Sequence, residues 1–458
     1  MNKITLYSIL LVFVSTSVHA QNNDSLIIRK IYSETLENGK AYDWLRELTS
    51  EIGGRLSGSP EAEKAVEWAK KKMIEAGADT VFLQEVMVPH WVRGVKENAF
   101  ILEANGNKTT IPVCALGNSV QTPQEGISAQ VIEISDFSQL KILGAEKIKG
   151  KIIFYNHPFK EYLQNPFEAY GEAVNYRWAG PSEAARFGAI GTVCRSMTNS
   201  SDNYPHTGAM HYNDSLPKIP CCAISTNGAD LLSRILHANN NTKFFFHQEC
   251  HFLDSVLSYN VIGEIKGSEF PGEYITVGGH LDSWDLGKGA NDDGAGVVQA
   301  IEILRTLKAA GIKPKRTIRA VAFMNEENGL CGGKKYAAVA EKKKEKHVAA
   351  IESDSGGFLP IGFGLKMPED KKVVVRKWAP LFSPYYVYNF SGDGGEADIS
   401  PLIEKLNVPC IGLEVNPQRY FDYHHTADDV FKNVNKRELL LGAAAMTSLA
   451  YMISFYGL

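Results

Sequence analysis

The spacing of apolar positions changes twice along the chain. Up to about residue 80 it is helical: "KAYDWLRELTSEIGGRL" and "SPEAEKAVEWAKKKMIEAGA" repeat apolar residues every three or four positions. Ser59-Pro60 opens the second run as a cap followed by a first-turn proline, and Gly77 ends it. "TVFLQEVMVPHWVRG" and "NAFILEANG" then read as strands. From about 111 to 250 the runs are short and β-rich ("AQVIEI", "GKIIFYN", "GTVCRS", "KIPCCAIS"). Between them lie one helix candidate, "GPSEAARFGAI", a closing helix, "NGADLLSRILHANN", and connections rich in Asn, Gly, Ser and His. This texture predicts a separate module inserted into the chain. After 251 strands alternate with helices: "EYITVGG", "GAGVVQAIEILRTLKAAG", "RTIRAVAFMN", "GGKKYAAVAEKKKEK", "VAAIESD", "ADISPLIEKLN", "VPCIGLEV" and a long closing helix. The alternation predicts an α/β fold with a mixed, largely parallel sheet and helices on both faces.

The N-terminus departs from this pattern. Lys3, an apolar core from Ile4 to Val14 and "SVHA" predict a signal peptide over 1–20, too short to span a bilayer. No later segment reads as transmembrane, so a secreted or periplasmic protein without stable membrane association is expected. The 458 residues are 44% hydrophobic and 22% charged with net charge −4, which gives no footing for nucleic-acid binding. Seven scattered cysteines contain no CxxC pair; one or two disulfides are possible after export.

In open α/β sheets functional groups gather beyond the carboxyl ends of strands. Each strand of the last third ends in such groups. "EYITVGG" leads to His280 and Asp282, with Asp292-Asp293 in the glycine-rich loop that follows. "TIRAVAFMN" ends in Glu326-Glu327, "VAAIES" in Asp354, and "YFDYHHTADD" carries His424 and His425. Singly these are ordinary loop residues, and Asp292 or Asp293 could simply cap a helix. Together they form an imidazole and carboxylate set without thiolate, larger than one ion needs. Two ions would share a carboxylate and activate a water; Asp292 suits sharing. One of the tandem glutamates can bind metal while the other faces the water as general base. Asp282 is placed to fix the ring of His280.

"GGHLDSWDLGKGANDDGAG", "AFMNEENG", "ESDSGG" and "YHHTADD" resemble the M28 family of co-catalytic zinc peptidases, and "HLDSWD" with "PKRTIR" its plasma glutamate carboxypeptidase group. The resemblance covers the mature chain. It implies a zinc aminopeptidase-like peptidase domain over 21–110 and 251–458, with a protease-associated domain at 111–250. It implies two Zn2+ held by His280, Asp292, Glu327, Asp354 and His425, with Asp292 bridging. Glu326 would be the general base and acid, Asp282 would orient His280, and a cis peptide would follow the bridging aspartate. In several relatives a tyrosine precedes the last ligand; here it is His424, with Tyr423 one further back, so His424 is a candidate oxyanion donor or a residue supporting the ligands. The implied reaction is exopeptidase hydrolysis of dipeptides or short peptides with a free N-terminus, through water activated at the metals, by a possible homodimer. Asp393 or Asp398, in "SGDGGEADISPL", is a candidate partner for the substrate's amine, or part of a turn and cap. Competing expectations are a single-zinc glutaminyl cyclase-like enzyme and an inactive peptidase-like binding protein.

Overall fold

The computed structural model describes residues 23–395 and 397–458; the expected signal peptide lies outside them. A seven-stranded mixed sheet forms the centre of the molecule. Its strand order is Thr80–Val92, His251–Ile265, Arg316–Phe323, Phe270–His280, Lys346–Glu352, Cys410–Val415, Pro360–Lys366. The four from Arg316–Phe323 to Cys410–Val415 are mutually parallel, and the others pair antiparallel. Three of the parallel strands and the second half of Phe270–His280 are almost wholly buried, which is why their sequences read as continuous apolar runs. Helix Ala295–Ala309 packs on this sheet and against Lys436–Tyr456.

Local chemistry explains the helix ends. Ser59 accepts a hydrogen bond from the N–H of Ala62, and Asn435 accepts from Arg437 and Glu438. The closing helix corrects one expectation: Lys436–Tyr456 is long and apolar enough to cross a membrane. It is instead mostly buried within the protein, because its apolar surface is answered by the sheet and Ala295–Ala309. All seven cysteines are free thiols, and all but Cys331 are buried.

A second, eight-stranded sheet interrupts the first between Thr80–Val92 and His251–Ile265. It has its own core, including Ile101, Phe154, Val193, Ile224, Phe244 and Phe246. Two expectations change here. The sheet begins before residue 111, because Asn98–Leu102 and Lys108–Thr110 belong to it: Asn98–Leu102 pairs antiparallel with Lys243–His247, and Phe100 stacks on Phe245 at 4.6 Å. It is also less purely β. Helices Phe137–Ile148 and Pro166–Trp178 join the two expected, and four of its strands run parallel.

Candidate metal centre

The carboxyl ends of the four parallel strands converge on one cleft of about 530 Å³, lined by Asp292, Glu326, Glu327, Asp354, His424 and His425 together with residues of the second sheet's unit. Asp292 stands at its centre. Its Oδ1 lies 3.1 Å from His280 Nε2, which is 3.2 Å from Asp354 Oδ1. Its Oδ2 lies 3.3 Å from His425 Nε2, which is 3.2 Å from Glu327 Oε2. One aspartate thus presents each oxygen to a different histidine and carboxylate.

The surroundings fix each donor. His280 is buried, and its Nδ1–H donates to the main-chain oxygen of Asp282 at 3.0 Å, which directs Nε2 toward the carboxylates. His425 does the same through Thr207, whose carbonyl is 3.3 Å from Nδ1 and whose N–H donates to the His425 carbonyl. Glu327 Oε1 accepts from the Trp284 N–H, leaving Oε2 for the site. Asp429 accepts from the Asn291 N–H at 2.8 Å, the Asn291 amide at 3.1 Å and the Asp292 N–H at 3.1 Å, and so sets the bridging loop. The Asp292–Asp293 peptide is cis. Asp293 accepts from the N–H of Gly296, as a helix cap does, and from the N–H of His280.

Asp282 behaves differently from the expectation. Its carboxylate stands 3.9 Å from His280 Nδ1, and the short bond to that ring comes from its backbone oxygen. The carboxylate instead accepts from the N–H groups of Asn325, Glu326 and Glu327 at 2.7, 3.0 and 3.4 Å. It therefore shapes the turn that carries the two glutamates. Arg55, fully buried, ties the other side: its guanidinium donates to the carbonyls of Leu281, Gly53, Lys288 and Gly289.

The electrostatics fit a cationic guest. Burial pushes Glu326 and Glu327 well above the usual carboxylate range, and pushes Asp354 upward. Ionised together, these carboxylates are stable only beside positive charge. Burial likewise pulls His424 well below an ordinary imidazole and His425 down to about 3, so both are neutral, the form that binds metal. Asp292 Oδ2 is buried without a hydrogen bond. Two sets of ligand atoms, His280, Asp292 and Asp354 on one side and Asp292, His424 and His425 on the other, lie close enough to hold an ion. The residues present suit hard or borderline divalent metal.

The remaining candidates divide. His424 lines the cleft, stacked on His425 at 3.5 Å, with Nε2 3.8 Å from Asp292 Oδ2. Tyr423 is elsewhere, with its hydroxyl accepting from Arg419 and its ring on Phe358. Asp393 is a surface residue paired with Lys372 at 2.6 Å. Asp398 is fully buried and is not among the residues lining the cleft; the helix behind it starts at Ser400 without a side-chain cap. The unit of the second sheet supplies what the sequence reading missed: Phe167, Tyr170, Arg177 and Trp178 of helix Pro166–Trp178 form one wall.

A model of peptidase family M28 matches residues 260–450. Carboxypeptidase Q of Mus musculus is 34% identical over 91% of this chain and 86% of its own length. The chain belongs to peptidase family M28 and is a metallopeptidase. Within that family it is similar to carboxypeptidase Q of several vertebrates, the protein of Homo sapiens being 33% identical over 91% of this chain and 85% of its own. A peptidase M28 precursor from Shewanella amazonensis SB2B has the same fold, with TM-score 0.90 at 33% identity over 95% of this chain and 97% of that one. A zinc aminopeptidase from Bacillus subtilis shares the fold at TM-score 0.64 and 19% identity, over 91% and 95% of the two chains.

Proposed function

We propose that this metallopeptidase is an exported di-zinc exopeptidase that hydrolyses dipeptides or short peptides with a free N-terminus. The observation that carries the reading is the division of Asp292, one oxygen toward His280 and Asp354, the other toward His425 and Glu327. His280, Asp292 and Asp354 would hold one zinc, and Asp292, Glu327 and His425 the other. Zinc there supplies Lewis acidity toward the scissile carbonyl and lowers the pKa of water at the site.

The protein's own groups do the rest. Glu326 lines the cleft beside these donors without being taken up by them. Its carboxylate takes the proton of the attacking water and returns it to the leaving amine. Asp282 holds the Glu326 N–H and so aims that carboxylate. His424, neutral and buried against Tyr170, Tyr420 and Phe421, offers an N–H to the oxygen on which charge develops. We assign the second sheet's unit as the protease-associated domain, on its insertion between two strands of the peptidase sheet. We assign residues 1–20 as the export signal, which N-terminal sequencing of the secreted protein checks.

Glu326→Gln tests the mechanism. The variant is expected to bind zinc as the wild type does while kcat falls by a factor on the order of 10³ or more. Near-normal turnover overturns the assignment, and so does a zinc-loaded wild type that cleaves no peptide.

A further inference from the structure

We propose that Arg177 and Tyr170, both on helix Pro166–Trp178 of the inserted unit, form an anion subsite that receives the free α-carboxylate of the residue leaving the cleft. The inference rests on the peptidase reading above and specifies which end of the substrate this wall recognises.

Arg177 is 7% exposed and lines the cleft. A buried guanidinium is costly unless its donors are answered. Elsewhere in the molecule they are. Arg93 meets Asp285 at 2.6 Å and Glu97 at 2.9 Å, and Arg319 meets Glu264 at 2.8 Å and Glu345 at 2.7 Å. Arg177 has no carboxylate in ion-pair contact among the described residues. Its Nη2 donates to the Tyr170 hydroxyl at 2.7 Å, its Nη1 makes a long contact of 3.4 Å to the Thr207 carbonyl, and its Nε is buried with no partner. The planar fork is therefore incompletely used, and a carboxylate is the group that fits it with two hydrogen bonds. Tyr170 adds a second donor, because its oxygen accepts from Arg177 and its own O–H is left to give.

The placement is built into the backbone. A Cβ at Gly208 would stand 2.4 Å from Arg177 Nη1, 2.5 Å from its Cζ and 2.6 Å from His425 Nδ1. A side chain at Gly208 would collide with both the guanidinium and the ring of His425, and φ there is +127°, which side chains rarely adopt. The subsite thus adjoins a residue of the candidate metal centre, on the Nδ1 side of the His425 ring, and opens on the same cleft. A peptide whose second residue ends in a free carboxylate reaches it. A longer peptide presents a neutral amide at the same place.

The test compares alanyl-alanine, its C-terminal amide, and alanyl-glutamic acid α-amide, which has only a side-chain carboxylate. Each is given to the zinc-loaded full chain as wild type, Arg177→Met and Arg177→Lys. The wild type is expected to favour the free acid over the amide by about 10²-fold in kcat/KM, mainly through KM. Arg177→Met is expected to bring that ratio within about threefold of one, and Arg177→Lys to recover part of it. A wild-type ratio near one overturns the subsite while leaving the peptidase reading intact, and needs no variant to fold. A loss that falls equally on acid and amide in Arg177→Met assigns the residue a structural role and also overturns it. Cleavage of the glutamic acid α-amide at the rate of the free acid overturns the α-carboxylate assignment. No turnover of any of the three by the zinc-loaded wild type overturns the peptidase reading together with the subsite.

Discussion

Both sheets of this protein contain four parallel strands in a row, yet among the described residues only one of them ends in a candidate metal centre. In the central sheet the strand ends deliver His280, Glu326, Glu327, Asp354 and, a little further on, His425 into one cleft. In the inserted sheet the corresponding positions hold helices in place. Asp136, after Ile127–Ile134, caps Phe137–Ile148, and Ser225, directly after Cys221–Ile224, caps Thr226–Ala238. His157, after Ile152–Tyr155, hydrogen-bonds the Ser135 carbonyl at the surface. Parallel topology therefore offers a place for ligands without supplying them. The inserted unit reaches the site by another route, through the sides of a helix and a loop: Tyr170, Arg177 and the carbonyl of Thr207.

The contrast yields graded predictions. Glu326→Gln stands at the top, with a kcat loss at unchanged zinc content. Next comes Asp429→Asn, which removes the charge that gathers the N–H groups of Asn291 and Asp292. It is expected to weaken zinc affinity by roughly 10–100-fold, as loss of a ligand's supporting partner does. Competition with a chromogenic chelator measures it, and an unchanged dissociation constant removes Asp429 from the site. At the small end is Ser225→Ala in the inserted sheet. Loss of the hydrogen bond to the Gly228 N–H is expected to cost about 1 kcal/mol of stability by denaturant titration. Zinc affinity and kcat/KM should not move; a change in either would show that the strand ends of the second sheet feed the centre after all.

The four parallel strands of the central sheet were legible because each announces itself as an apolar run, and the candidate ligands lie at or beyond their carboxyl ends; the edge strand Pro360–Lys366 was not read. Most of the second sheet's strands were legible for the same reason, but Lys108–Thr110, Val113–Ala115 and Lys243–His247 were not read, and neither was the point where the sheet begins. Asn98–Leu102 reads the same whichever sheet it joins, and only the pairing with Lys243–His247, far along the chain, decides. Helix Pro166–Trp178 escaped notice although Asn165 caps it and Pro166 opens it. Its aromatic and charged residues face a cleft built by a different part of the chain, so their apolar positions do not trace a core-facing stripe alone. Arg55 was hidden likewise, since its value lies in carbonyls more than 200 residues away. At Asp282 the expected contact is divided by geometry: its carbonyl holds His280 and its carboxylate holds the Glu326–Glu327 turn. No sequence pattern separates a residue's backbone oxygen from its side chain. Asp393 illustrates the opposite error, a carboxylate in a promising loop that pairs with Lys372 at the surface.

The proposed di-zinc reaction requires Asp292 to serve two metal ions at once. Zinc titration of the metal-free full chain, followed by metal analysis and dipeptide turnover at each step, tests it directly. Two zinc ions are expected to bind per chain, with full activity reached only as the second is filled. Saturation at one zinc per chain with full activity would contradict it.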